Sequence, residues 1–280
     1  MRKLYYSFFI LLIFSCGTAD DEKELSEVVE IAQTIEKDFN NYYSKNILNL
    51  FSPTRLAMRL GREFYDIPRM ERQFIYSFLR DQFETSTYNF MENLDQKNQV
   101  LSLFDVHKEG EVYRANYEIY DKDQEGVRDF VVIYIEKNNK GQWKIVNQYS
   151  LENGFSLGQI FKDVFKYVQD QSTSSQMLQY ESQEIIQGAN QLFVEGAYEK
   201  AFDSLKTASP KMLNRPGVAI LGVRFASKVS DELYMNELHN MKNITPNDQS
   251  KIFYDCVIEN IQNEGDTQCI DTIREALMKS

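Results

Sequence analysis

Residues suited to acid-base or nucleophilic chemistry are scarce in this sequence, which contains only two histidines, His107 and His239. A serine-type hydrolase needs a histidine base and a serine presented on a sharp turn, as in a Gly-x-Ser-x-Gly motif. Neither histidine is accompanied by such a motif. We expect His107 to be a solvated turn residue beside Lys108, and His239 to stabilise the end of a helix. The sequence therefore predicts no catalytic residues and a protein that is not an enzyme.

The sequence offers few side chains at the spacing that a metal site requires. The stretch DKDQEG places Asp121, Asp123, Glu125 and Gly126 at the spacing of a calcium-binding loop, but the twelfth position is Val132 instead of the required bidentate glutamate. A charged turn between two strands explains this stretch better. A zinc site is not expected either, because neither histidine is near a cysteine in the sequence. We expect no metal and no cofactor.

Two of the three cysteines, Cys256 and Cys269, lie thirteen residues apart near the end of the sequence. They could form a disulfide if the protein is exported from the cytoplasm. They could equally be two buried thiols on neighbouring helix faces. A disulfide requires a Cα separation of about 4.4 to 6.8 Å, which the sequence alone cannot supply.

The third cysteine, Cys16, follows an apolar run at the start of the chain. Arg2 and Lys3 precede a largely apolar segment of 11 residues, Leu4 to Phe14, which is shorter than the ~20 residues of a bilayer-spanning helix. The residues Ile13-Phe14-Ser15-Cys16 resemble the lipobox of bacterial lipoprotein precursors. This resemblance implies that residues 1–15 are a signal peptide and that the sulfur of Cys16 is acylated. The alternative is an ordinary signal, or an uncleaved anchor, with an accidental cysteine.

An acylated Cys16 would hold the protein on a membrane without a transmembrane helix, since each buried methylene contributes about 0.8 kcal/mol. Residues 16–24, which are rich in acidic side chains, are expected to form a hydrated tether. Gly17 resembles the residue after the cysteine in lipoproteins sorted to the outer membrane. The acidic start is similar to that of lipoproteins of Bacteroidetes-type bacteria. These resemblances imply a lipid-anchored protein of the cell envelope, on the periplasmic face or the cell surface.

Composition limits the partners. Removing residues 1–15 leaves 265 residues and takes two positive charges from a net charge of -11, which gives -13. A strongly acidic chain is a poor ligand for nucleic acid. An aromatic content of 13% supports packed cores, and the length suggests two domains.

The first half of the chain predicts helices followed by a sheet. Apolar spacing predicts one helix over Leu25–Leu50, a short helix near Thr54–Phe64, and a longer helix from Pro68 to about Leu94. An antiparallel meander is predicted from four runs of β-branched and aromatic residues: Val100–Val106, Val112–Tyr120, Arg128–Glu136 and Gln142–Tyr149. In the second strand, every second residue from Tyr113 to Ile119 is expected to be buried. Arg114, Asn116 and Glu118 are expected to lie on a solvent-exposed face. The apolar run Phe130–Ile135 predicts a central strand covered on both sides.

Helices followed by a meander that ends KGQWKIVNQ resemble the NTF2-like superfamily, in which the last strand often carries a pattern matched here by Gly141, Trp143, Lys144 and Ile145. The resemblance implies an α+β domain over residues 25–155, in which helices pack on a four-stranded antiparallel sheet and enclose a cone. The cone is either a ligand pocket or a filled core. Candidate lining residues are Tyr113, Tyr117, Tyr134 and Trp143.

The second half of the chain is predicted to be helical. A helix over Leu157–Gln169 runs into the stretch DQSTSSQ, so residues 156–176 are expected to be a connecting helix and linker before a helical domain over 177–280. The segment GANQLFVEGAYEKAFDSLKTA resembles a tetratricopeptide repeat, with matches at Ala189, Leu192, Gly196, Tyr198, Ala201, Leu205 and Ala208. Gly265 lies 69 residues after Gly196, about two repeat periods. The resemblance implies three helix hairpins stacked as a short solenoid; an irregular helical bundle is the alternative.

These observations predict a lipid-anchored envelope protein that acts as a non-catalytic module for a protein or peptide partner through its helical repeats. The alternative is a small ligand in the cone of the α+β domain. An uncharacterised hydrolase is a further alternative.

Overall fold

The structure is a computed structural model, which describes residues 19–59, 61, 64, 67–122, 126–169, 173–263 and 269–279. The predicted signal peptide, residues 1–15, and the predicted acylation site, Cys16, lie outside the described residues. The first half comprises α1 (Ala19–Asn40), α2 (Ser44–Leu50), α3 (Pro53–Met58), α4 (Arg69–Gln96), β1 (Gln99–Glu109), β2 (Val112–Asp121), β3 (Val127–Lys137), β4 (Trp143–Ser150) and α5 (Leu157–Gln169). The second half comprises α6 (Thr173–Val194), α7 (Tyr198–Lys206), α8 (Pro210–Leu213), α9 (Pro216–Ala226), α10 (Asp231–Ile244), α11 (Asp248–Gln262) and α12 (Cys269–Lys279). The predicted order of an α+β region followed by an all-helical region is confirmed.

The strands form an antiparallel sheet in the order β1-β2-β3-β4, as the meander pattern predicts. Strand β1 continues through His107 to Glu109, and the turn to β2 lies at Gly110, whose φ is +63°. His107 is therefore a strand residue paired with Arg114, and the prediction that it is a solvated turn residue is wrong. The ring of His107 is held within the strand by Asp105, whose carboxylate Oδ2 lies 2.6 Å from Nδ1.

One face of the sheet packs against α1 to α4. The alternate residues of β2 that were predicted to be buried lie in this core: Tyr113, Ala115, Tyr117 and Ile119. The Tyr117 hydroxyl donates a hydrogen bond of 3.0 Å to the carbonyl of Ala32 in α1. The rings of Phe51 and Phe83 stack with centroids 3.8 Å apart and join the α2 end to α4. The predicted alternation of β2 is therefore confirmed on this face.

The predicted helix over Leu25–Leu50 is broken after Asn40. Tyr42 has a φ of +57°, and the N–H of Tyr43 donates 2.8 Å back to the carbonyl of Asp38, which closes the end of α1. The Asn40 side chain accepts from the N–H of Leu101 at 2.8 Å and donates to its carbonyl at 2.7 Å. This two-way hydrogen bond fixes the end of α1 against β1, which the helical periodicity of the sequence could not indicate.

Helix α1 begins at Ala19, so the prediction of a hydrated tether over residues 16–24 is wrong for Ala19 to Glu24. Acidic side chains in the first turn of a helix are favoured by the helix dipole. Two of the acidic residues also form ion pairs with the sheet. The Asp21 carboxylate lies 2.7 Å from Nζ of Lys108, and the Glu24 carboxylate lies 2.9 Å from Nζ of Lys137.

The other face of the sheet is covered by the C-terminal helices. Phe130 and Val132 of β3 share a buried core with Val223 of α9, Leu238 of α10 and Phe253 of α11. Strand β3 is thus buried on both faces, and the prediction for Phe130–Ile135 is confirmed. The C-terminal helices also bury Arg114, Asn116 and Glu118 of β2. The prediction that these three side chains lie on a solvent-exposed face is therefore wrong.

Helices α6–α7, α9–α10 and α11–α12 pack as consecutive hairpins in the described part of the second half. Ala189 and Ala201 are fully buried where α6 meets α7, and Gly196, with a φ of +81°, ends the first helix of that hairpin. Helix α6 begins at Thr173, so the end of the predicted linker over residues 170–176 is helical. Cys256 and Cys269 form a disulfide between α11 and α12, with Cα atoms 5.5 Å apart. Among the helices that the structure describes, none combines the length and hydrophobicity that a bilayer span requires.

Candidate functional site

A row of polar side chains crosses all four strands on the face of the sheet opposite α1. His107 pairs with Arg114, Arg114 with Tyr134, and Tyr134 with Asn147. Directly paired residues of an antiparallel sheet point to the same face. Farther along this face, the sheet packs on the C-terminal helices. The row therefore lies at the edge of the buried core that the two halves of the chain share.

Asp105 organises one end of the row. Its Oδ2 lies 2.6 Å from Nδ1 of His107 and accepts a hydrogen bond of 2.9 Å from the amide of Asn116. The second ring nitrogen of His107 is buried and has no hydrogen-bond partner within the described residues. An aspartate-oriented imidazole could move a proton. No serine or cysteine side chain of the described part is bonded to this ring, so the pair is not a complete nucleophilic set.

Arg114 occupies the centre of the row and is only 1% exposed. Its Nη2 donates to the hydroxyl of Tyr149 at 3.4 Å, and its Nη1 lies 3.6 Å from the carboxylate of Glu109. The guanidinium lies 5.9 Å from the ring centroid of Tyr134. Burial, and then the neighbouring Tyr149, raises the pKa of the Tyr134 hydroxyl above its usual range. Tyr134 is therefore protonated at neutral pH and can donate a hydrogen bond.

A cleft of about 480 Å³ adjoins this row at Tyr134 and Asn147. Its other lining residues are Arg59, Glu109, Glu111 and Val112. At one rim Glu136 accepts from Arg59 at 2.5 Å and pairs with Arg55 at 2.9 Å. The lining offers both signs of charge together with neutral donors and acceptors. Such a cleft suits a small polar ligand better than an apolar one.

The four residues predicted to line one pocket do not lie on one face of the sheet. Tyr113 and Tyr117 are buried against α1, and Trp143 contacts Tyr113 edge to face at a centroid distance of 5.4 Å. The indole N–H of Trp143 donates 2.9 Å to Glu27. Tyr134 lies on the opposite face, because the register pairs it with Arg114 and pairs Tyr113 with Ile135. The prediction of a shared pocket is wrong, and the alternative of a filled core describes this face.

The sequence patterns did not predict the polar row, because they assigned Arg114 and Asn116 to solvent and His107 to a turn. The available signal was the strand register. Aligning the four predicted strands as a meander would place polar residues of each strand side by side on one face. Only the layer of C-terminal helices, which strand patterning does not reveal, makes that face partly buried.

A smaller cavity of about 150 Å³ lies among α7 to α10. Its polar wall is Glu237, which is buried and pairs with Lys206 at 2.5 Å. A Cβ added to Gly222 would lie 2.9 Å from Oε2 of Glu237, so glycine provides the room for this ion pair. The cavity is better explained as part of helix packing than as a binding site.

The remaining candidates are placed as follows. His239 is exposed on α10. Asp121 accepts from Gln99 at 2.8 Å and from Arg128 at 2.7 Å, and these bonds lower the pKa of its carboxyl. Asp123 and Glu125 lie outside the described residues, so the charged turn is seen only in part. Across the described ranges, no group of three or more acidic, histidine or cysteine side chains is arranged to hold a metal ion.

Comparison of the chain with protein families, with curated proteins and with solved structures finds no match. The lipoprotein, NTF2-like and tetratricopeptide resemblances therefore rest on the residues that carry them. Function has to be inferred from the sites themselves.

Proposed function

We propose that this chain is a bacterial lipoprotein of the cell envelope, anchored in the outer membrane through acylated Cys16. In this proposal it acts as a non-catalytic module that binds a protein or peptide through tetratricopeptide-like helices, α6 to α12. The α+β half, of NTF2-like type, supports those helices through the core that it shares with them.

The packing of the α6–α7 hairpin carries this proposal. Helices α9 to α12 contribute residues to the core shared with the sheet, whereas α6 and α7 pack mainly on each other and on α9. The hairpin therefore lies outside the core that α9 to α12 share with the sheet. At its tip Val194 is 86% exposed, beside Phe193 and Tyr198, whose ring centroids are 5.1 Å apart. Exposed apolar and aromatic side chains at such a position are typical anchors for a partner.

Deleting residues 177–280 would uncover the sheet, so surface substitutions are the better test. The full chain with Val194→Asp and Tyr198→Ser should recover at least about tenfold less of its partner from detergent-solubilised envelopes, because a single anchor residue commonly contributes about 2 kcal/mol to binding. The matched control is Lys200→Ser with Asp203→Ser, two exposed positions on the same hairpin. Equal recovery by both variants, measured by quantitative mass spectrometry, would contradict the proposal.

Binding of a small polar ligand in the cleft beside Tyr134 and Asn147 is the second candidate function. The observation that favours it is a cleft of about 480 Å³ that is lined by the polar side chains of Tyr134 and Asn147 together with Arg59, Glu109 and Glu111. Because the Tyr134 hydroxyl can donate into the cleft, the ligand should contain a hydrogen-bond acceptor.

Tyr134→Phe removes one hydroxyl and keeps the ring, so it should weaken such a ligand by about twofold to tenfold, the effect of one hydrogen bond. Tyr113→Phe makes the same change on the opposite face and should bind as the wild type does. Thermal-shift screening with sugars, amino acids and short peptides, followed by calorimetry, provides the measurement. Failure to find a ligand, or equal weakening by both variants, would contradict this function.

A further inference from the structure

The cleft beside Tyr134 and Asn147 has walls of opposite charge. Its acidic lining residues, Glu109 and Glu111, belong to the end of β1 and the turn to β2. Its basic lining residue, Arg59, reaches the cleft from the side of β3 and β4. Neighbouring strands are about 4.8 Å apart, so β1 and β3 are separated by about 10 Å. A ligand that lies across the cleft therefore meets carboxylates at one end and a guanidinium at the other.

The acidic wall lies on the same face of the sheet as Tyr134. Val112 precedes Arg114 by two residues in β2 and so points to the same face, and Val112 pairs with Glu109. The carboxylate of Glu109 lies 3.6 Å from Nη1 of Arg114, which is beyond hydrogen-bonding distance. Glu111 is exposed, and none of the ion pairs among the described residues includes it. Two carboxylates beside one guanidinium leave this wall with a negative charge.

The basic wall keeps free donors. Arg55 is occupied by three acceptors: Glu136 at 2.9 Å, the carbonyl of Lys137 at 3.3 Å and Oδ1 of Asn139 at 2.6 Å. Arg59 donates from Nη2 to the same Glu136 at 2.5 Å, and its other N–H groups are not bonded to an acceptor among the described residues. Two guanidiniums thus share one carboxylate. This wall has a positive charge, and the unused donors belong to Arg59, which lines the cleft.

The floor between the two walls offers donors as well. Oδ1 of Asn147 accepts from the N–H groups of Gln148 at 3.0 Å and Gly158 at 3.1 Å, so its amide nitrogen is the group left for a ligand. The Tyr134 hydroxyl is protonated at neutral pH, because burial raises its pKa. Donors in the middle of the cleft suit a ligand that has a carbonyl between its charged ends.

We propose that this cleft binds a zwitterionic peptide of two or three residues. Its terminal ammonium pairs with Glu109 and Glu111, its terminal carboxylate pairs with Arg59, and its carbonyls accept from the side chains on the floor. The inference rests on the second candidate function, the binding of a small polar ligand in this cleft, and names the class of that ligand.

The length and the charges of the cleft favour this class over others. An extended chain spans about 3.5 Å per residue, so two or three residues cover about 7 to 10 Å, the distance between the walls. A single amino acid is too short to reach both walls. A neutral sugar would leave Glu111 and Arg59 without charged partners, and an anion such as phosphate would be repelled by the acidic wall.

Blocked peptides test the pairing at each end. Calorimetry of the full chain in detergent is carried out with trialanine, N-acetyl-trialanine, trialanine amide and free alanine. Each block removes one charge-assisted hydrogen bond, so each blocked peptide should bind about tenfold more weakly than trialanine. Free alanine should be weakened by at least the same factor, because it can reach only one wall.

Two substitutions assign the ends. Glu111→Gln should weaken trialanine about tenfold and leave the affinity of the N-acetylated peptide unchanged, because that peptide has no ammonium to lose. Arg59→Gln should weaken trialanine by a similar factor and leave the amide unchanged. Glu136 keeps Arg55 as its partner in that variant. The matched control is Glu259→Gln, an exposed glutamate on α11 that does not line the cleft.

The outcomes separate this inference from the proposed functions. Equal binding of trialanine and its two blocked forms would overturn the inference. A sugar that binds in a Tyr134-dependent manner, with no binding of the alanine peptides, would also overturn it and leave the second candidate function standing. Peptide binding that is lost in the Val194→Asp, Tyr198→Ser variant but retained in Glu111→Gln would place the peptide on the α6–α7 hairpin, which would overturn it as well.

Discussion

Gly154→Ala should destabilise the protein by about 2 to 5 kcal/mol, since it combines backbone strain with a steric clash. Gly154 lies in the loop after β4 with a φ of +69°, a conformation that L side chains rarely adopt. An added Cβ would overlap the hydroxyl of Tyr254 in α11 and would lie 3.2 Å from Oγ1 of Thr245. Thr245 donates to the Gly154 carbonyl, and Tyr254 donates 3.1 Å to the carbonyl of Glu152.

Gly110→Ala is the matched control for this substitution. Gly110 has a φ of +63°, almost the same as that of Gly154, but a Cβ added there meets nothing within 4 Å. It should therefore show only the backbone cost of about 1 to 2 kcal/mol. Urea denaturation of both variants gives the comparison. Equal losses would mean that the contact of this loop with α11 does not limit the packing of the two halves.

The free energy of unfolding should fall by about 2 to 5 kcal/mol as the pH rises from about 5 to about 8, through the titration of Asp129. Burial, and then the charge of Glu152, raises the pKa of the Asp129 carboxyl to about 8, against about 3.9 in the unfolded chain. Between these values the folded state holds a proton that the unfolded state has lost. Stability from this group is therefore complete below about pH 4 and is lost as the pH rises through about 8.

Asp129→Asn isolates that contribution. An amide oxygen can still accept from the backbone N–H groups of Phe130 and Glu152, which lie 2.7 and 3.0 Å from Oδ1. The variant should lose most of the pH dependence in this range and be more stable than the wild type at pH 8. Denaturation is measured over the pH range, with exposed Asp203→Asn as the control. A variant whose stability follows the wild-type curve would show that Asp129 does not titrate as described.

Both predictions concern the interface between the sheet and the C-terminal helices. The loop after β4, together with Phe130 and Tyr149, packs on α10 and α11, so the second half of the chain is part of the fold of the first. Arg274 of α12 reaches the sheet as well and binds Glu118 of β2 through both oxygens. Partner binding on the α6–α7 hairpin would thus act on helices that are fixed to the sheet through α9.

Sequence patterns predicted the structure correctly where it depends on residues that are close together in the chain. Period-two alternation placed Tyr113 and Tyr117 correctly, and the positive-φ glycines Gly110 and Gly141 lie between strands that the sequence predicted. The small residues Ala189 and Ala201 likewise lie where two helices touch. These features depend on backbone conformation and on nearest neighbours along the chain.

Patterns failed where a distant part of the chain determines the result. The break after Asn40 depends on a hydrogen bond to Leu101, 61 residues away. Arg114 is buried because helices from the other half cover its face. The cleft itself depends on the register of four strands, and no single strand contains a signal for it. Sequence periodicity gives the faces of each element but not what covers them.

Acylation of Cys16 is the central claim, and metabolic labelling with palmitate tests it most directly. The wild-type chain and the Cys256→Ala, Cys269→Ala variant, which retains only Cys16, should both incorporate the label, and Cys16→Ala should not. Mass spectrometry of the purified protein should show a mature chain that begins at Cys16 and carries acyl groups. A wild-type chain without label, or equal labelling of Cys16→Ala, would contradict the lipid-anchored envelope protein proposed above.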